Sequence, residues 1–332
     1  MKKKVLKILK YLAFFAAGAI IFWFIYKDQD IERIKTILSN DVNYTWVWVS
    51  LFLGLLSHIS RSARWNLMIE PLSHKPRLLN TFLAVMVGYL MNLVLPRMGE
   101  ISRCGVLSRY EKISFTKLIG TVVTERIVDL IMLFVFTVVV IFTQFGQVLG
   151  FLHKNPGIEE NVRSIFSSPF LWGGLVGVVI VFYIYRKTLK NSLAFRKIES
   201  LITLFKEGII SVKSMKKKWA FIGHSFFIWI MYYLMLYVVF FSFDFTSGLT
   251  ALAGLTTFVL ASYGMVAPVQ GGIGAWHFMT KESLAIYGIA NEDAIIFALL
   301  VHTTMTVMLI VIGIISFLVL PFINRRMVTA ES

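Results

Sequence analysis

Cysteine is almost absent from this chain, and charge is scarce. Cys104 stands alone among 332 residues, which excludes an intramolecular disulfide and any cysteine-based metal cluster. Only 15% of the residues are charged, where a soluble domain carries about a quarter, so no segment has the composition of a separate soluble domain. His58, His74, His153, His224, His277 and His302 are scattered, with no H-x-x-x-H or H-E-x-x-H pair to hold a metal. A Walker motif, a Gly-x-Ser-x-Gly turn and a dinucleotide fingerprint are all missing. These absences weigh against an enzyme without closing off one that works inside the membrane, and they imply no cofactor.

What is abundant is apolar surface: 57% of the residues are hydrophobic and the mean hydropathy is +0.75. Apolar runs near the roughly 20 residues that cross a bilayer recur from end to end. The expectation is an all-α polytopic membrane protein. The net charge of +15 comes from Lys and Arg in short runs between apolar segments. That pattern fits inner-leaflet headgroups and the positive-inside rule, not nucleic acid. Five lysines within Met1 to Lys10 precede the run Tyr11 to Tyr26. Its small residues Ala16, Ala17 and Gly18 lie mid-run, and Tyr26-Lys27-Asp28 lacks a small-x-small cleavage site. A retained first helix with a cytoplasmic N-terminus follows.

Spanning candidates are Leu12 to Tyr26, Tyr44 to Ile59, Leu118 to Thr143, Phe170 to Tyr185, Trp219 to Phe241 and Ala294 to Leu320. Two more, Leu78 to Leu95 and Leu249 to Ala267, end at Pro96-Arg97-Met98-Gly99-Glu100 and Pro268-Val269-Gln270-Gly271-Gly272. Proline removes a backbone donor and glycine permits positive φ, so a helix can stop and reverse there. Unpaired backbone persists at membrane depth only beside protein or a water-filled cavity, and paired breaks in two halves point to a binding site between them. Eight plain crossings, the alternative, would place the basic stretch 186–218 outside, against the positive-inside rule. Re-entrant hairpins over 78–109 and 249–289, oppositely oriented, move that stretch and both termini to the cytoplasm. The expectation is therefore one membrane domain with six crossings and two hairpins. Leu189, Leu193, Ile198, Leu201, Ile202 and Phe205 recur at helical spacing in the basic stretch, as an amphipathic inner-leaflet helix or a solvated connector would have it. Gln144 to Ser168 reads as an irregular outer loop.

Ionisable residues at membrane depth are costly and mark polar pathways. Arg97, Glu100 and Arg103 surround the first break, and guanidinium offers a planar fork of donors suited to phosphate. Glu125, Arg126 and Asp129 lie about two turns into the following helix, Asp129 roughly 15 to 18 Å from Leu118. They form either an ion-pair lock or the wall of a headgroup cavity. Gly271, Gly272 and Gly274 free backbone N–H groups ahead of a helix carrying His277 and Lys281, an arrangement that suits an anion and equally suits tight packing. His302 reads as a hydrogen-bonded packing residue. Arg61, Arg64 and Trp65 look like an interfacial anchor, with Arg64 in reach of a lipid phosphate.

The chain resembles the membrane-domain family of lysylphosphatidylglycerol synthases. The similar features are Arg64-Trp65, Leu95-Pro96-Arg97-Met98-Gly99-Glu100 with Arg103, Glu125-Arg126 with Asp129, and Pro268 with Gly271-Gly272-Ile273-Gly274. Where many relatives carry an acidic residue after the glycine turn, this chain has Ala275-Trp276-His277. The resemblance implies flippase-like movement of a lipid headgroup between leaflets of the bacterial inner membrane. Expected partners are an anionic or aminoacylated phospholipid or a lipid-linked glycan, with a second copy or a lipid-modifying enzyme as further alternatives. A transferase acting on a lipid-linked substrate is the competing function. A cysteine placed at Lys197 should react with a membrane-impermeant thiol reagent only when the cytoplasmic face is open; labelling from outside alone would refute the hairpin topology.

Overall fold

The structure, a computed structural model, describes residues 16, 18–27, 29–95, 98–154 and 215–325, with scattered residues between 157 and 213. Pro96 and Arg97, most of the 170–185 run and nearly all of the 186–218 stretch lie outside the described residues. Every regular element among those described is helical. After a helical segment at 18–26 come α1 (Ile31–Asn40), α2 (Tyr44–Ile69), α3 (Leu78–Val94), α4 (Met98–Glu111) and α5 (Phe115–Lys154). The second half holds α6 (Lys218–Tyr237), α7 (Ala251–Val266), α8 (Ala275–Ile286) and α9 (Asn291–Ile323). Local chemistry starts several of them. Asp30 accepts from the backbone N–H of Glu32 and Arg33, Asn43 from that of Thr45, and Thr250 from that of Ala253.

Among the described residues, three helical stretches are long and apolar enough to cross a membrane: Phe115–Gln147, Lys218–Ser242 and Asn291–Ile323. A fourth forms if α1 and Tyr44–Leu72, bent by 85°, are taken together. Two sequence boundaries move. Helix α2 runs on to Ile69 rather than stopping at Ile59, and α5 continues through the expected outer loop as far as Lys154. Outward faces are apolar, with Phe134, Phe142 and Trp48 exposed, while Phe240, Phe243 and Phe297 are fully buried between helices. Lipid, not water, is the solvent for such a surface.

The hairpins can be followed from their polar contacts. At one end, Glu70 beyond α2 pairs with Lys217 before α6 at 3.0 Å. Glu111, the last residue of α4, accepts from the Asn80 side chain at 2.6 Å and from the Arg77 N–H at 3.1 Å. Helices α3 and α4 therefore leave and return to one end. Asn80 and Asn324 exchange two amide hydrogen bonds of 3.0 Å there, so α9 finishes at the same end. The opposite end holds Arg33, paired with Glu292 and Asp293 at the start of α9, and Asn43, whose N–H donates to Ser242. There α7 begins and α8 ends: Tyr287 donates to Thr256 at 2.8 Å, and Ser283 to Thr257 at 3.0 Å. The two hairpins thus open at opposite ends of the bundle.

Their tips meet inside it. A Cβ on Gly271, whose φ is +56°, would lie 2.7 Å from Leu93 near the end of α3, and the Gly271 carbonyl accepts from His302 Nε2 at 2.8 Å. His302 stands about 16 Å along α9 from Asn291. Glycine also lets the first hairpin close. A Cβ on Gly88 would sit 2.8 Å from the Gly99 carbonyl, and the Gly99 N–H donates to Asn92 Oδ1 at 2.7 Å.

Asn324 is buried and its Nδ2 keeps the Leu320 carbonyl, so a single Asn80→Leu strands Asn324 Oδ1 and should cost about 1–3 kcal/mol. Thermal unfolding in detergent checks this, with Asn80→Leu/Asn324→Leu expected to recover most of the loss.

Candidate functional site

Helix α2 is only partly a lipid-facing helix. Its second half buries Ser57, His58, Ser60, Arg61, Ser62, Arg64 and Trp65, a polar face that can exist at depth only against other polar groups. Helix α5 supplies them. Glu125 and Asp129, one turn apart, point the same way. Arg61 Nη2 lies 2.6 Å from Glu125 Oε1 and 2.8 Å from Asp129 Oδ2. Arg64 Nη2 lies 2.8 Å from Asp129 Oδ1 and 3.4 Å from Glu125 Oε1. From α4, Arg103 grips Glu125 with both terminal nitrogens, at 3.0 and 3.3 Å.

The side chains of Arg64 and Glu125 are wholly shielded, and those of Arg61 and Arg103 nearly so. Burying each ion costs several kcal/mol, which pairing must offset. Neighbours add hydrogen bonds: Arg61 donates to Tyr232 Oη and Arg64 to Ser225 Oγ, each at 3.2 Å. The Arg103 guanidinium stacks 4.6 Å above the Trp65 ring, whose Nε1 donates to Thr121 at 2.8 Å. The interfacial-anchor reading of Arg61, Arg64 and Trp65 is thereby overturned. Nothing in their spacing distinguishes an anchor from a core ion pair; the carboxylates that need them are more than 60 residues away.

One side of the cluster is open. Arg126 is 45% exposed, 2.7 Å from Glu100 and 3.7 Å from Asp129. Arg61, Gly88, Asn92, Glu100, Arg103 and Arg126 line a shallow, open cleft at the tip of the first hairpin. Among the described residues, four guanidiniums face three carboxylates, an excess of one positive charge.

Of the residues singled out from sequence, Arg64, Glu100, Arg103, Glu125, Arg126 and Asp129 come together in this one network; Arg97 lies outside the described residues. Gly271, Gly272 and Gly274 do not line the cleft. They form a separate packed turn, where Gly274 N–H donates to His277 Nδ1 at 3.3 Å. His277 stacks with His302, ring centroids 4.5 Å apart, under Phe22 and Tyr26. A Cβ on Gly274 would come within 2.7 Å of the Gly18 carbonyl, so this glycine seats the 18–26 helix. Lys281 pairs with Glu282. Sequence reasoning missed Tyr89, Asn92 and Tyr232 as polar partners of the site. A run of buried serines with histidine beside the arginines of α2 was the available signal for Arg61.

Fold and cluster together define a polytopic helical membrane protein whose polar centre is an internal arginine–carboxylate network. Residues 8–313 match the model of the lysylphosphatidylglycerol synthase TM region, and the chain belongs to that family. It is also similar to UPF0104 membrane protein MJ1595 of Methanocaldococcus jannaschii, 33% identical over 114 residues, or 33% of this chain and 34% of that protein. The match thus spans about a third of that relative's length. No solved structure matches the chain.

Glu125→Gln leaves three arginines short of a buried counter-charge and should cost about 3–5 kcal/mol. Arg126→Gln, on the exposed side, should stay within about 1 kcal/mol. Melting of the two purified variants against the wild type checks the contrast.

Proposed function

We propose that the protein moves a phospholipid headgroup between leaflets of the bacterial cytoplasmic membrane, in the manner of a flippase. In this reading both hairpins are re-entrant, both termini are cytoplasmic, and 186–218 is a basic cytoplasmic connector within a single membrane domain. The observation that carries it is the net-positive cleft at the first hairpin tip, walled by Arg61, Arg103 and Arg126. An anion entering it meets guanidinium donors in a low-dielectric surround, where charge-assisted hydrogen bonds are strong.

Family membership supports the lipid as substrate, since the family's name is tied to phospholipid chemistry. The inner cluster supports a division of labour. Arg61, Arg64, Glu125 and Asp129 hold the walls in register, and Arg126 with Glu100 exchanges partners as a headgroup arrives. Acyl chains stay in the bilayer beside the apolar faces of α5 and α9. The glycine turn supports close approach of the second hairpin rather than headgroup contact.

Purified protein in liposomes should accelerate leaflet exchange of labelled phospholipid, with the lipid mass unchanged. A new lipid species would favour the transferase instead. Arg126→Gln, which keeps the fold, should lower exchange at least tenfold. Undiminished exchange in that variant would remove the cleft from the mechanism.

A further inference from the structure

Three buried atoms of the cleft residues lack hydrogen-bond partners, one an acceptor and two donors. Glu100 Oε1 is held by Arg126 at 2.7 Å, while its Oε2, shielded from solvent, has no hydrogen-bond partner. Arg103, 3% exposed, hydrogen-bonds Glu125 through Nη1 at 3.3 Å; its Nη2 lies 3.0 Å from Glu125 Oε2 as an ion pair without a hydrogen bond, and its Nε–H has no partner. Buried polar atoms in native structures are mostly satisfied. Orphans also occur at His58, Ser242, Thr280 and Ser316, and what sets the cleft atoms apart is that an anionic acceptor and cationic donors share one cleft. A purely anionic headgroup would satisfy the arginines and be repelled by Glu100. A purely cationic one would do the reverse.

Resting on the headgroup-translocation reading, we infer that the cleft is built for a zwitterionic headgroup in which a phosphate and a primary ammonium lie close together. The phosphate takes Arg103 and the half-exposed Arg126, and the ammonium donates to Glu100. A lysyl-esterified glycerol phosphate carries a second ammonium for which the cleft has no second free carboxylate among the described residues.

Calorimetric titration of detergent-purified full-length protein with short-chain phosphatidylethanolamine and phosphatidylglycerol tests this. The wild type should bind the ethanolamine lipid at least tenfold more tightly. Glu100→Gln, which keeps an oxygen for Arg126 but removes the charge, should abolish that preference, and Glu100→Asp should restore it. Equal affinities, a preference for phosphatidylglycerol or its lysyl ester, or a preference surviving in Glu100→Gln would overturn the assignment. Soluble glycerophosphoethanolamine should compete at least a hundredfold more weakly than the lipid; competition at equal concentration would overturn a lipid as the source. Failure here is separable from failure of translocation itself. Equal affinities with exchange still lost in Arg126→Gln reject only the zwitterion, whereas undiminished exchange in Arg126→Gln rejects the translocation reading.

Discussion

The central ion-pair network of this protein is arranged around the cost of holding Glu125 inside a membrane-embedded bundle. A carboxylate with no exposed side-chain surface cannot stay ionised there without cationic partners, and it has three, from two different helices. Those contacts set the rotation of α2, α4 and α5 about their axes. Asp129, one turn on, repeats the demand and uses Arg61 and Arg64 a second time. The pairing thus does what apolar contact in lipid cannot, because lipid tails compete equally for apolar faces and give helices no preferred register.

The hairpins solve a second problem of the same kind. A chain that reverses inside a packed apolar bundle leaves backbone groups away from water, and these must find partners within the protein. At the first reversal Asn92 accepts the Gly99 N–H; at the second, His302 and His277 serve Gly271 and Gly274. Both reversals bring backbones closer than any side chain would allow, which explains glycine at those places better than anion binding does. Arg103 both pairs with Glu125 and lines the cleft, so the first hairpin joins the buried network to the open side of the cluster.

Much of the architecture was legible in the chain. Apolar length announced membrane helices, the two Pro-x-x-Gly breaks announced reversals, and the distribution of lysine and arginine argued for hairpins opening to opposite sides; the polar contacts put the open ends of the two helix pairs at opposite ends of the bundle. The site was half legible. Charges at depth drew notice to Glu100, Arg103, Glu125, Arg126 and Asp129, because such residues are rarely tolerated without a reason. Arg61 and Arg64 were misread, since an arginine near a helix end beside tryptophan has the same local pattern whether it faces headgroups or a buried carboxylate. The glycine turn was legible as a turn but not as a packing surface, because its neighbours Gly18 and Leu93 are distant in sequence.

The amino-acid sequence by itself determined that this is a helical membrane protein, where its chain reverses, and which residues must be costly to bury. Those are properties of single segments in a solvent of known polarity. Only the tertiary structure decided which charge neutralises which, which break carries the cleft, and which polar atoms are left over. Electrostatic pairing depends on ångström distances between helices far apart in the chain, and no local pattern encodes those distances.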